Sequence, residues 1–245
     1  MANYYNENDL FTAQWLHNLI AAGMIPGGWV DTRSIEDVTN NDLQGFSQWH
    51  FFAGIGGWCE ALRLSGLSKA SGICTGSPPC QENSIAAAIH GKRTGLRGVR
   101  SGLAHRWLDL VEALRPRLVL FENVPGIQKW QAEITGRLEG FGYRTSVQNL
   151  SAASVGAPHL RRRVWITADR DGQRLPVAGA QGPPKNNSQS WAAPPRGVWR
   201  EDHTGAGRLA DGVPKRMASI RAFGNSIVPQ VAAQIIQDLL REPNQ

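Results

Sequence analysis

An α/β fold built on a mostly parallel sheet is predicted by three features of this 245-residue sequence. Short apolar runs bounded by glycine and proline alternate with segments whose apolar residues recur at helical spacing. The glycine-rich turn Phe52-Ala53-Gly54-Ile55-Gly56-Gly57 lies between one such run and one such segment, where a parallel sheet keeps its ligand turns. The order of elements is strand, helix, strand along most of the chain, which calls for a sheet covered on both faces.

Each element follows from local signals. Asn3 to Asn6 is a short extended piece, and Leu10 to Ala22 is helical until Gly23 and the Pro26-Gly27-Gly28 turn end it. Trp29-Val30 is a second short strand, and residues 31–48 are polar and connecting, with a weak helix near Ser34. His50-Phe51-Phe52 is a buried strand entering the glycine turn, followed by a helix from Trp58 to Leu64. Gly72 to Thr75 is a strand leading into Gly76-Ser77-Pro78-Pro79. Ala104 to Leu114 is helical and stops before Pro116, and Leu118 to Phe121 is an apolar strand. A helix over 127–140 and strands over 143–149 and Arg163 to Thr167 complete the series. Residues 84–103, rich in Gly, Arg and Lys, read as a mobile loop. From Asp171 to Pro214 the composition turns to Gly, Pro, Asn, Ser and Trp, an irregular insert, before Met217 to Leu240 returns as a strand, a Gly-Asn-Ser turn and a closing helix.

Composition excludes several classes. Hydrophobic residues make up 41%, enough for a core that needs no staple. No apolar run approaches membrane-spanning length and the N-terminus lacks a signal pattern, so a cytoplasmic protein is expected. Three cysteines, Cys59, Cys74 and Cys80, without CxxC spacing argue against a disulfide framework and against a metal site. The net charge of +6 is unevenly spread, because residues 1–60 hold seven acids against Arg33 alone. The remaining 25 bases lie beyond residue 60, and arginine outnumbers lysine 21 to 5. Such a skew suits a polyanionic partner met by one side of the molecule, although a GC-rich genome also favours arginine.

Four motifs carry chemistry. The glycine turn lets a cofactor approach the backbone, but the acid expected about 20 residues on to hold a ribose is missing, since no Asp or Glu occurs between Glu60 and Glu82. Gly76-Ser77-Pro78-Pro79-Cys80-Gln81 presents a thiol on a rigid turn, as a nucleophile needs; a small buried cysteine is the alternative. Glu122, directly after the apolar strand, is either an acid whose pKa its surroundings raise or a helix cap. Arg161-Arg162-Arg163 runs into a strand, where Arg161 and Arg163 share one face; they either grip a phosphate or base carbonyl or form a solvated edge.

Together these features resemble the DNA cytosine-5 methyltransferases. The match covers FAGIGG, the turn PPCQ with Ser84 after it, the triplet Glu122-Asn123-Val124, the RRR strand in place of the family's QxRxR, and Ala222-Phe223-Gly224-Asn225-Ser226-Ile227-Val228-Pro229. The resemblance implies an S-adenosylmethionine-dependent methyltransferase-like Rossmann sheet with helices on both faces and a small irregular target-recognition subdomain. Residues 1–170 would be catalytic and cofactor-binding, 171–214 the target-recognition region, and 215–245 a segment returning to the catalytic domain. The family has two strands between FAGIGG and PCQ for which this chain has no room. Residues 1–48 look like the missing piece, permuted ahead of residues 49–170, with 31–48 crossing back to the first strand. Trp29 then stands where the family has an adenine-contacting acid, with Asp31 a possible substitute; His159 replaces Gln and Asn83 the usual Phe.

The resemblance further implies roles. Cys80 would attack C6 of cytosine, Glu122 would serve N3, and Arg163 and Arg161 would orient the base or support the nucleophile loop. Phe52, Gly54, Ile55, Gly56, Glu7, Pro79, Asn225 and Ser226 would hold S-adenosylmethionine, and no metal is implied. Ser84, Lys92, Arg93, Arg97, Arg100 and Arg106 would close over the phosphates of a duplex whose target base is flipped. Arg196 and Arg200, with Lys185, Trp191 and Trp199, would read the target. The partners expected are double-stranded DNA and a cognate restriction endonuclease, with the chain a monomer. A transfer-RNA cytosine-5 methyltransferase and a non-catalytic DNA- or cofactor-binding homologue are the alternatives.

Overall fold

The computed structural model describes residues 2–79, 102–125, 128–157, 159–170 and 222–241. Within them lie β1 (Asn3–Asn6), β2 (Gly28–Asp31), β3 (Gln48–Phe51), β4 (Ile73–Gly76), β5 (Leu118–Asn123), β6 (Tyr143–Ser151) and β7 (Arg162–Arg170). They join in one sheet of order β2-β1-β3-β4-β5-β7-β6. The pairings from β2 to β5 are parallel, and β7 runs antiparallel to both β5 and β6. Strand β3, which feeds the glycine turn, is third in the chain yet central in the sheet, with β1 and β2 beyond it. A doubly wound sheet ordinarily fills those two positions with strands that follow the glycine turn. Here they precede it, and the chain crosses back through two 3-10 turns, Ile35–Asp37 and Asn40–Leu43. The helix expected near Ser34 is the first of these, with the Ser34 hydroxyl accepting the Glu36 amide.

Alternation of side chains on the short strands explains why two layers of helices can cover the sheet. Tyr4, Phe51, Cys74, Val119, Phe121 and Val164 point to one face. There they pack against α3 (Leu103–Leu114) and α4 (Gln128–Gly140), with Trp107 and Trp130 at the centre. Ile73, Leu118, Leu120 and Trp165 point to the other, against α2 (Gly57–Leu64) and α5 (Pro229–Arg241). Tyr5 and Val30 continue that face beneath α1 (Leu10–Ala21). Asp9 starts α1 by accepting the Thr12 amide at 2.9 Å, a cap worth about 1 kcal/mol.

Polar groups buried in the sheet find partners along its rows. Asn3 donates to Gln48 at 3.0 Å, and Gln48 in turn donates to the Ala70 carbonyl at 2.7 Å. His50 stacks on Tyr5 and shares a proton contact with Thr75 Oγ1 at 3.0 Å. Burial pushes the His50 imidazole down to about 3, so it sits neutral in the fold.

Strands β6 and β7 are longer than the apolar runs suggest, because they pair with each other along their full nine residues. Arg161 falls before β7 rather than on it, with φ of 20°, so it does not share a strand face with Arg163. Of the loop expected at 84–103, residues 84–101 lie outside the described residues, as do the insert at 171–214 and the strand expected from Met217, whereas Leu103 already opens α3.

Candidate active site

The parallel register brings the carboxyl ends of the strands to one edge, since Asn6 pairs with Asp31 and Phe51, Phe51 with Gly76, and Gly76 with Phe121. That edge is where an open α/β sheet binds its ligands. The glycine turn leaves β3 through Phe52, a non-glycine residue held at φ of 52°, and through Gly54 and Gly56 at φ of 57° and 83°. Those two glycines meet a left-handed requirement that other residues meet only with strain. Glu7, one residue past β1, accepts the Gly54 amide at 2.9 Å and the Asp9 amide at 3.0 Å. Burial raises its pKa, and the two amides offset part of that rise.

Phe52, Gly54, Ile55, Gly57, Trp58 and Ser77 line a cleft with Asn225, Ser226 and Ile227 of the C-terminal segment. A Cβ on Gly57 would lie 2.8 Å from Ile227, so only glycine admits this close seat. The cleft offers backbone amides, an apolar wall at Phe52 and Ile55, and nearby a carboxylate with lone pairs to spare. That donor set fits a nucleoside carrying a charged tail.

Across the edge, β4 runs into Ser77-Pro78-Pro79. Trp58 donates its indole N–H to Ser77 Oγ at 3.0 Å, and Asn123 donates to the Pro78 carbonyl at 3.3 Å. Asn123 also accepts the Val124 amide at 2.8 Å, which fixes its amide plane. The turn is thus gripped from α2 on one side and from β5 on the other, two contacts that sequence reasoning did not assign. An inward-facing tryptophan just after a glycine turn was the available signal, because a buried indole N–H calls for an acceptor.

Glu122, near the end of β5, is 6% exposed. Arg163 Nε stands 3.0 Å from its Oε1, an ion pair whose angle falls short of a hydrogen bond. Burial raises the Glu122 carboxyl to about 7 despite the opposing charges of Arg163 and Arg161. An acid of this kind can be held protonated and can give up its proton near neutrality. Arg161 does something the sequence did not foresee. It donates to the carbonyls of Gly224 at 3.0 Å and Ser226 at 2.6 Å, pinning the C-terminal wall of the cleft.

At the other end of the edge, Asp31 rather than Trp29 closes β2. Its carboxylate receives Arg33 Nε and Nη2, the Arg33 amide and the Tyr4 hydroxyl. Trp29 is 44% exposed and stacks on Phe46. The structure therefore unites Glu7, Phe52, Gly54, Ile55, Gly56, Pro79, Glu122, Arg161, Arg163, Asn225 and Ser226 along one edge. Arg106 belongs to α3 and donates to the Val38 carbonyl at 2.6 Å. Cys80, Ser84, Lys92, Arg93, Arg97, Arg100, Arg196 and Arg200 lie outside the described residues. Among the described residues, no helix is long and apolar enough to cross a membrane and no His, Cys, Asp and Glu cluster could hold a metal.

The chain is similar in sequence to several known proteins. The family of C-5 cytosine-specific DNA methylases matches residues 63–197, a span that includes Pro79, Cys80, Glu122 and Arg163 and begins after the glycine turn. The Type II methyltransferase M.AplI of Arthrospira platensis is 28% identical over 126 residues, which are 49% of this chain and 35% of that protein. The Type II methyltransferase M.AgeI of Thalassovita gelatinovora is 35% identical over 108 residues, 42% of this chain and 24% of that one. This chain thus spans well under half the length of these two relatives. Among solved structures, the S. pombe Dnmt2 methyltransferase overlaps 69% of this chain and 51% of its own, with a TM-score of 0.42 and 17% identity. With its family match extending over more than half its length, this chain belongs to the C-5 cytosine-specific DNA methylases.

Proposed function

We propose that this chain transfers a methyl group from S-adenosylmethionine to C5 of a cytosine flipped out of duplex DNA. The observation that carries this reading is Glu122, a buried carboxyl held near pKa 7 beside the turn that leads into Cys80. Cytosine C5 is too weak a nucleophile to accept a methyl group unaided. Addition of the Cys80 thiolate to C6, with Glu122 donating its proton to N3, turns the ring into an enamine whose C5 is electron-rich. S-adenosylmethionine held in the cleft would supply the methyl group, its S–CH3 bond breaking to leave S-adenosylhomocysteine. A base then removes the C5 proton, the C6–S bond breaks to return the Cys80 thiolate, and the N3 proton goes back to Glu122. Arg163 holds the Glu122 carboxyl in place and stabilises its charged form while N3 carries the proton.

Glu7, Gly54 and the amides of the glycine turn suit the nucleoside of the cofactor, Phe52 and Ile55 its apolar contacts, and Pro79, Asn225 and Ser226 the opposite wall. Gly56 shapes the turn. A duplex hides C6 and C5 within the stack, so the base must leave it. Ser84, Lys92, Arg93, Arg97 and Arg100 then serve the phosphates around the flipped nucleotide, which position the duplex without specifying it. Arg196 and Arg200 in residues 171–214 read the target. The Type II names of the relatives support a restriction-modification setting in the cytoplasm, with a cognate endonuclease as the functional partner.

Transfer of labelled methyl from S-adenosylmethionine to unmethylated duplex DNA, with bulk transfer RNA and Cys80→Ala run alongside, tests the proposal. Label at cytosine C5 of DNA that vanishes in Cys80→Ala is expected. Label in transfer RNA in preference to DNA, or none in either from folded protein, would overturn it.

A further inference from the structure

We propose that the Trp58–Ser77 hydrogen bond is a positioning contact that sets the turn before Cys80 against the cofactor cleft, and so governs the rate of methyl transfer more than cofactor affinity. The inference rests on the reading of Cys80 as nucleophile. Trp58 is the second residue of α2, the helix that the glycine turn opens, and its indole is 3% exposed. The ring donates to Ser77 Oγ at 3.0 Å and packs edge-on against Trp165, with centroids 5.8 Å apart. Trp165 is the register partner of Glu122 across β5 and β7. A single side chain therefore touches the cofactor helix, the turn before the nucleophile and the strand position opposite the acid.

The rest of the site keeps that side chain from drifting. Ile227 seats so closely on Gly57 that the start of α2 is locked to the C-terminal segment. The polar handles of the turn are few, because Pro78 and Pro79 lack amide protons. Two of the groups that remain are the Ser77 hydroxyl, held by Trp58, and the Pro78 carbonyl, held by Asn123. Two successive prolines also fix φ, so the turn has fewer backbone torsions with which to absorb a shift at Ser77. The buried indoles of Trp130 and Trp165 have no acceptor among the described residues, whereas that of Trp58 has one. An active-site atom displaced by about 1 Å can lose on the order of a hundredfold in rate.

The test is a double-mutant cycle of Trp58→Phe and Ser77→Ala, read by single-turnover methyl transfer to duplex DNA and by calorimetric affinity for S-adenosylhomocysteine. Each single variant is expected to slow transfer about tenfold or more, and the double variant to be no slower than the worse single one. Trp58 and Ser77 also line the cleft, so affinity for S-adenosylhomocysteine is expected to fall as well, but the loss of rate should exceed the loss of affinity by about threefold or more. Ser77→Ala deletes one hydroxyl from a half-buried turn and folds even if Trp58→Phe does not, so it carries the test alone in that case. Losses that multiply in the double variant, losses confined to affinity, or a Ser77→Ala rate equal to that of the parent would overturn the proposal. A parent protein that methylates neither DNA nor RNA would instead bring down the Cys80 reading and this inference with it.

Discussion

Asp31 and Glu122 stand on the same edge of the sheet, at 3% and 6% exposure, and their carboxyls behave in opposite ways. Burial pushes both upward. At Asp31 the guanidinium and amide of Arg33 and the hydroxyl of Tyr4 more than offset it, so the carboxyl falls below its usual range. At Glu122 one off-line arginine and a second more distant one leave the carboxyl near 7. The difference lies in donor supply and in depth together, because Glu122 is the more fully desolvated of the two. A carboxylate surrounded by donors becomes a lock that ties β2 to the crossover. A carboxyl buried with too few donors is left able to hold and release a proton near neutrality, which a lock cannot do.

This contrast can be broken at either end. Glu122→Ala should have the largest effect, a loss of about 10²- to 10³-fold in methyl transfer with cofactor affinity retained, because the charge at N3 loses its partner. Asp31→Ala should act on stability instead, lowering the free energy of urea unfolding by about 1–3 kcal/mol as Tyr4 and Arg33 lose their acceptor. The pH profile sharpens the comparison. Transfer limited by protonated Glu122 should fall as pH rises through about 7. In Glu122→Gln, whose amide cannot titrate, that alkaline fall should disappear from a rate measured at saturating DNA.

The smallest effect belongs to His50, buried on β3 between Tyr5 and Thr75. Its pKa is depressed to about 3 in the fold against an ordinary 6.5, so the unfolded chain binds the extra proton first as pH falls. The stability it contributes is present above about pH 6.5 and is lost as pH falls toward 3. Between pH 7 and 6 the loss should stay under about 1 kcal/mol, and the change in urea-unfolding free energy between those two pH values should be smaller in His50→Gln than in the parent by that amount.

Motif and topology were legible where chemistry depends on local sequence. FAGIGG, the Pro-Pro turn and the Glu122 triplet could be read because glycine, proline and a strand-end acid constrain their own surroundings. The early placement of β1 and β2 was legible as well, since the gap between Phe52 and Cys80 is too short for the strands the resemblance requires. Long-range geometry was not. Arg161 reads as a strand residue, yet its backbone turns out of the strand so that it can reach carbonyls 63 and 65 residues away. Trp29 occupies the second position of β2, while the end that faces the site is Asp31. In a strand of period two, a shift of two residues keeps the face and moves the position along the edge. Trp58 and Ser77 meet across 19 residues only because β3 and β4 are neighbours in the sheet.

Trapping of the chain on duplex DNA carrying 5-fluorocytosine at its target is the most direct measurement of the central claim. Fluorine at C5 cannot leave as the proton does, so the thiol should remain joined to C6 after methyl transfer. The account predicts a stable complex, formed only with S-adenosylmethionine, whose cross-linked peptide contains Cys80 and which Glu122→Ala forms much more slowly. Methylation of ordinary DNA without any trapped complex, or a complex that forms equally in Cys80→Ala, would contradict it.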